Sequence, residues 1–283
     1  MTTVKYKLGL VGCPLKHSLS SLLFREIALR ENLPLRYTSW EISPANSEEF
    51  FHWLKRSEIT GINITIPYKE RIMDHLDQLD ETARIIGAVN VVKKFGDELH
   101  GYNTDWYGFV ESLKRARVQP SKMLIFGGGG AARAVLYAAL AMNCQAVTVA
   151  ERSEARAVKL KQAFSSFLEL KVISWESSLL AAEIEEADLV VNATPVGLPN
   201  WSGSFPLETS FLGSGKLFFD LIYKPEVTPF MKIGLCCGAR AINGLDMLLF
   251  QAMKSLEIWT GIETSYQKWQ EAYQKIQGVK LAN

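Results

Sequence analysis

The residues best suited to chemistry begin with a glycine turn. Gly127, Gly129 and Ala132 fit G-x-G-x-x-A directly after the apolar run Met123–Phe126 and before a helix-forming stretch. In that setting the first glycine makes a tight turn, the second lets a backbone approach a pyrophosphate, and the small third residue packs helix on strand. The diphosphate then rests on the helix N-terminus, where N–H groups and the helix dipole favour an anion. The strand, turn, helix and strand context raises a weak motif to a specific one. The next strand ends at Glu151, followed by Arg152, Ser153 and Arg156. An acidic residue here accepts from the adenosine ribose and suits NAD, whereas arginine suits the 2′-phosphate of NADP through paired charge-assisted bonds. Both are present, so the two cofactors remain open; the plain alternative for the arginines is a solvated helix start.

These residues need elements to position them. Apolar runs and helical spacing alternate through the N-terminal third: strand Lys7–Val11, helix Ser21–Arg30, strand Leu35–Ile42, helix Glu48–Lys55, strand Gly61–Ile66, helix Arg71–Leu79 and strand Ala88–Lys94. This is the pattern of an open α/β sheet. A helix over 106–117 ends near Pro120. A βαβ unit follows, with Met123–Phe126, Ala131–Ala141 and Ala146–Ala150, and then strands Asp188–Asn192, Lys216–Leu221 and Ala239–Ile242. Leu245–Trp259 is helical again. The expected fold is therefore two open α/β domains with a cleft between them: residues 1–104 plus 244–283 as substrate-binding domain, and 105–243 as a Rossmann-type dinucleotide-binding domain.

Bulk composition narrows the function. The 283 residues carry 31 basic and 30 acidic side chains, so no bulk attraction draws the chain to nucleic acid or an anionic membrane. No run of 18 apolar residues marks a membrane span, and the N-terminus reads as a strand rather than a signal peptide. Cys13, Cys144, Cys236 and Cys237 include no C-x-x-C, and the four histidines are scattered, so no metal site is expected. All four thiols read as reduced, which suits a cytoplasmic protein. His52, His75 and His100 read as surface residues, and Phe250 and Trp259 as core.

Six further segments occur in a recognisable order: Gly12-Cys13-Pro14-Leu15-Lys16-His17-Ser18-Leu19-Ser20, Gly61 to Lys69 (GINITIPYK), Gly87-Ala88-Val89-Asn90, Gly101-Tyr102-Asn103-Thr104-Asp105, Asn192-Ala193-Thr194-Pro195-Val196-Gly197, and Asn243-Gly244-Leu245-Asp246-Met247-Leu248 through Gln251. With GGGGAARA between the fourth and fifth, the chain resembles the shikimate/quinate dehydrogenase family over nearly its whole length. The resemblance implies NADPH-dependent reduction of 3-dehydroshikimate to shikimate. The substrate is a small ring bearing hydroxyls and a carboxylate, and each hydroxyl buried without a partner costs about 1–3 kcal/mol. Ser18, Ser20, Thr65, Asn90 and Gln251 supply the needed side-chain types.

By resemblance Ser18 and Ser20 bind the carboxylate, with Tyr223 beside it, and Asn63, Thr65, Asn90, Asp105 and Gln251 contact the ring. On the cofactor side it implies Gly127, Gly128, Gly129, Gly130, Ala131, Glu151, Arg152, Ser153, Arg156, Thr194, Gly244 and Met247, the last equally readable as a core methionine. Hydride reduction of a ketone needs a proton donor for the developing alkoxide. Lys69 is the candidate and Asp105 its partner, the carboxylate holding the lysine charged and oriented; the plain alternative is a surface lysine and a helix N-cap aspartate. His17 is expected to order the serine loop.

Two departures stand out. Ser21, Phe24 and Arg25 replace the family's usual proline and His-Asn pair, and Glu151 replaces the usual asparagine. An NAD-preferring quinate/shikimate dehydrogenase and a non-catalytic ligand sensor on the same fold are therefore competing readings; retention of Lys69 and Asp105 weighs against the sensor. The sequence is silent between monomer and homodimer.

Overall fold

The computed structural model describes residues 4–16, 18–198, 201, 203–207 and 215–281. The chain divides into two compact units, Met1–Thr104 with Leu249–Asn283 and Asp105–Leu248.

The first unit contains β1 (Tyr6–Gly12), α1 (Ser20–Arg30), β2 (Leu35–Glu41), α2 (Ser47–Arg56), β3 (Gly61–Ile64), β4 (Gln78–Leu79), α3 (Glu81–Ile86), β5 (Val91–Phe95) and β6 (Glu98–Tyr102). Its sheet runs β2-β1-β3-β5-β6-β4, with β1 parallel to both neighbours and β5 antiparallel to β3 and β6. Central β3 is buried along its length, while edge strand β2 is buried nowhere completely. That contrast follows from covering a sheet on both faces but leaving its edge to solvent. α3 shows local control at both ends: the Asp80 carboxylate accepts from Ala83 N (3.1 Å), and Gly87 closes the helix at φ 68°.

The segment read as a helix over Arg71–Leu79 is instead a 3₁₀ turn, Arg71–His75, followed by β4. Backbone and side chain of Asp77 explain the break. Its N–H donates to Leu99 O (2.9 Å) and its carboxylate accepts from Leu99 N (2.8 Å), which draws the chain into the sheet before a second helical turn forms.

The second unit contains α4 (Asp105–Ala116), β7 (Lys122–Phe126), α5 (Gly130–Ala141), β8 (Ala146–Ala150), α6 (Glu154–Phe164), β9 (Leu170–Ile173), α7 (Leu180–Glu186), β10 (Leu189–Asn192), β11 (Leu217–Asp220), α8 (Pro229–Cys236) and β12 (Arg240–Ile242). Its strands are all parallel, in the order β12-β11-β10-β7-β8-β9. Met123, Ile125, Val147, Val149, Leu189, Val191, Leu217 and Phe219 join one core; Leu124, Phe126, Ala150, Val190 and Phe218 join another. The alternation is the period-two pattern of strands buried on both faces.

The division between units falls inside α9 (Leu245–Thr260), and α10 (Tyr266–Leu281) follows it. Trp259 is core, with Nε1 donating to Val92 O (2.9 Å). Phe250 is not: it is half-buried and stacks on Tyr266 at 4.6 Å.

Candidate active site

In the first unit, residues far apart in sequence form a buried polar network. Asn63, on β3, donates through Nδ2 to Asn90 O and to Ser255 Oγ, both at 3.2 Å. Asn90 Oδ1 accepts from Thr104 N (2.7 Å), and its Nδ2 donates to Thr104 Oγ1 (3.0 Å) and Gln251 Oε1 (3.4 Å). Ser255 lies one helical turn after Gln251 and donates to its carbonyl (2.8 Å). Tyr37 OH donates to Asn63 Oδ1 (2.8 Å), and burial pushes this phenol well above its ordinary range, against a lowering hydrogen bond with Ser20. Tyr37 therefore links Ser20 to Asn63. Asn63, Asn90, Gln251 and Ser20 were singled out from sequence; Tyr37 and Ser255 were not. Ser255 carried a signal in its i+4 spacing from Gln251, but a tyrosine inside a strand reads as ordinary core.

The loop after β3 is short and pinned. Thr65 N donates to Val11 O (3.0 Å), Tyr68 N donates to Thr65 O (2.9 Å), and Tyr68, fully buried, donates its hydroxyl to Ile42 O. Lys69 follows this anchor, half-buried, its carbonyl accepting from Val89 N (2.8 Å). A Cβ on Gly12 would meet Thr65 Cγ2 at 2.4 Å, so the glycine is what admits the threonine. Ser18 is half-buried, and its Oγ accepts from Ser20 N (3.3 Å) at the start of α1. His17 lies outside the described residues. Phe24, the departure inside α1, is buried; it stacks on Tyr37 at 4.4 Å and meets Trp269 edge-on.

The second unit opens on Asp105, which is buried and is the first residue of α4 rather than the cap before it. The glycine turn follows β7. Gly127 has φ 106°, a left-handed conformation suited to glycine. At Gly129 an added Cβ would meet nothing within 4 Å, and no side chain caps α5, which starts at Gly130. Ala131 is half-buried, and Ala132 packs the helix into the sheet core. Strand order around the turn reverses between β7 and β10, the switch point where doubly wound sheets bind ligands. These features fit a dinucleotide.

Glu151 directly follows β8 and is buried, with Oε1 accepting from Ser153 N (2.8 Å). A Cβ on Gly128 would stand 2.7 Å from Glu151 Oε2, so the carboxylate also lies against the turn. Ser153 caps α6 by accepting from Arg156 N (3.4 Å). Arg152 is exposed, its guanidinium 4.8 Å from the Trp175 ring, and Arg156 is exposed as well.

A second buried network holds the loops after β10 and β11. Asp220 Oδ1 accepts from Asn192 Nδ2 (2.8 Å) and Ile222 N (3.0 Å), and Oδ2 accepts from Thr228 Oγ1 (2.6 Å). Burial outweighs these bonds and pushes the Asp220 carboxyl up to about 6. Asn192 Oδ1 in turn accepts from Thr194 N (2.9 Å) and Thr194 Oγ1 (2.7 Å). The stretch carrying Tyr223 begins at this network. Gly244 N donates to Ile222 O (3.1 Å), and Met247 is buried in the core of this unit.

Fold and turn together define a class: an α/β protein pairing a mixed sheet with a doubly wound dinucleotide-binding sheet. Residues 10–92 match the shikimate dehydrogenase substrate-binding domain model, and 111–199 match the shikimate/quinate 5-dehydrogenase model. A shikimate dehydrogenase (NADP(+)) from Caldicellulosiruptor saccharolyticus is 37% identical over 262 residues, covering 90% of this chain and 92% of that protein. The crystal structure of shikimate dehydrogenase from Aquifex aeolicus superposes with a TM-score of 0.84 at 34% identity, covering 95% of this chain and 97% of that one. The Thermus thermophilus shikimate 5-dehydrogenase, solved with NADP(H) and shikimate, gives 0.83 at 31% identity, covering 95% and 99%. The chain belongs to the shikimate dehydrogenase family.

Proposed function

We propose that this protein catalyses the reversible NADPH-dependent reduction of 3-dehydroshikimate to shikimate, a step of the shikimate pathway towards chorismate and the aromatic amino acids. The observation that carries this reading is the linked set Asn63, Asn90, Gln251 and Ser20 in the unit whose pinned loop bears Lys69. Polar groups held in one network are pre-oriented for a ligand rich in hydroxyls, which lowers the ordering cost of binding.

Ser18, Ser20 and Tyr223 hold the substrate carboxylate, and Asn63, Thr65, Asn90, Asp105 and Gln251 hold the ring hydroxyls. NADPH, when bound, supplies the hydride. Lys69 donates the proton to the oxygen that becomes the hydroxyl, and Asp105 is its carboxylate partner. The first unit takes the substrate; the second takes the dinucleotide at Gly127 to Ala131, with Thr194, Gly244 and Met247 as further cofactor-binding residues.

Preference for NADP over NAD rests on what Glu151 and Arg152 do. The Glu151 carboxylate is turned onto Ser153 N–H and the glycine turn, whereas Arg152 is exposed and its guanidinium lies over Trp175. Arg152 and Arg156 thus present positive charge to a 2′-phosphate, and Ser153 adds a hydroxyl. Among the described residues no helix is long and apolar enough to cross a membrane. The four free cysteines suit a cytoplasmic setting, where the protein works as a monomer or homodimer on a small-molecule substrate.

Initial rates of shikimate and quinate oxidation, with NADP and NAD side by side, test the proposal. Strong preference for shikimate with NADP is expected. Preference for NAD or ready turnover of quinate would move the protein to the quinate/shikimate reading, and no turnover with any pair would point to a sensor.

A further inference from the structure

No spacing in the sequence matches a metal motif, yet folding brings Glu48, His52 and His75 together. Glu48 and His52 stand one turn apart on α2, and His75 ends the 3₁₀ turn that packs beside it. One ligand atom from each lies within 4.8 Å of the other two. His75 Nε2 is 3.0 Å from Glu48 Oε2, and the two imidazole rings are 5.5 Å apart at 76°.

We propose that Glu48, His52 and His75 form a binding site for a divalent first-row transition ion of the zinc type. Two imidazoles and one carboxylate are a donor set that favours zinc, copper or nickel over calcium or magnesium. Around a tetrahedral zinc with bonds near 2.1 Å, neighbouring ligand atoms stand about 3.4 Å apart. The Glu48–His75 pair, at 3.0 Å, stands slightly inside that separation, and small shifts of the exposed Glu48 and His52 side chains complete the triangle. His52 Nδ1 lies 2.7 Å from Glu48 O, a backbone bond that fixes the tautomer and leaves Nε2 as the coordinating nitrogen. His75 is held by Phe51, ring centroids 5.0 Å apart, so the less exposed ligand is pre-positioned. Three protein ligands leave the fourth position to water. The ion clips α2 to the turn that follows Lys69, and the site stands independently of the oxidoreductase reading.

Metal-stripped full-length protein is titrated with Zn²⁺ by calorimetry and with Co²⁺ by visible absorption. The expected result is one saturable ion per chain, ligand-field bands without thiolate charge transfer, and a rise in Tm on zinc addition. His52→Ala and Glu48→Gln, both at exposed positions, should each weaken binding by more than the roughly 10–100-fold that outer-shell changes cost. Unchanged affinity in both variants, a thiolate band, or no saturable binding would overturn the proposal.

Discussion

Replacing Asp220 with asparagine should remove a pH-dependent load on the second unit. The carboxyl is buried and its ordinary value of 3.8 is pushed up to about 6, chiefly by desolvation. A folded-state value above the unfolded one means that the native protein binds more protons between those limits, so stability falls as pH rises through the window. A shift of about 2 units corresponds to about 3 kcal/mol, fully present below pH 3.8 and lost above pH 6. Asparagine keeps an acceptor for Asn192 and Ile222 and cannot ionise. Urea unfolding at several pH values from 4 to 8 would therefore show the native protein losing about 3 kcal/mol relative to Asp220→Asn as pH increases. Parallel curves would refute the reasoning, since they would mean that Asn192, Ile222 and Thr228 fully offset the cost of burying the charge.

Three other substitutions test separate parts of the argument. Lys69→Ala should lower kcat by about 10²–10⁴-fold while leaving KM for shikimate nearly unchanged, because a general acid acts on the transition state; steady-state kinetics decides it. Arg152→Ala should raise KM for NADP by about 10–100-fold, the worth of a charge-assisted bond to phosphate, without raising KM for NAD. Gly61→Ala would set a Cβ 2.2 Å from Trp259 Cδ1 and 2.3 Å from Nε1, forcing the indole off Val92 O. Overpacking and the lost hydrogen bond together should cost about 2–4 kcal/mol in urea unfolding.

Much of this architecture was readable because strands and helices announce themselves locally. The glycine turn, the strands beside it and the helix after it follow from composition and period within some 25 residues, whereas the segments Gly61 to Lys69 and Gly87 to Asn90 stand out only through the family resemblance. What could not be read depends on long-range pairing. Asp77 ends a helical pattern only because Leu99 waits across the sheet. Tyr37 joins the polar network only because β2 lies beside β1. His75 reaches Glu48 from 27 positions away, a spacing that matches no metal motif. Nothing local distinguishes Asp220 at the end of its strand; its hydrogen bonds to Asn192 and Thr228 make it the fixed point of two loops.

Two glycines separate what the fold requires from what the ligand requires. At Gly244 an added Cβ would come within 2.1 Å of Leu221 O and 2.6 Å of Leu221 C. Both are backbone atoms, so no rotamer change relieves the contact, and the chain must move by about 1 Å. Leu221 N is bonded to Asn192 O and Ile222 N to Asp220 Oδ1, so the movement reaches the network that holds Thr194 and the start of the Tyr223 loop. Gly244→Ala should lower stability by at least about 1–3 kcal/mol, and kcat/KM by about 100-fold, because a misplacement of this size costs that much in a positioned site. At Gly129 an added Cβ meets nothing within 4 Å, and the residue's φ of −85° suits any L-amino acid. Gly129→Ala should leave unfolding unchanged or slightly more difficult while raising KM for NADP, since no described atom lies within 4 Å of the methyl group and the diphosphate proposed for this turn would meet it. Unfolding curves and NADP kinetics on both variants make the comparison. If Gly129→Ala bound NADP normally, the turn would not be holding the diphosphate through its backbone.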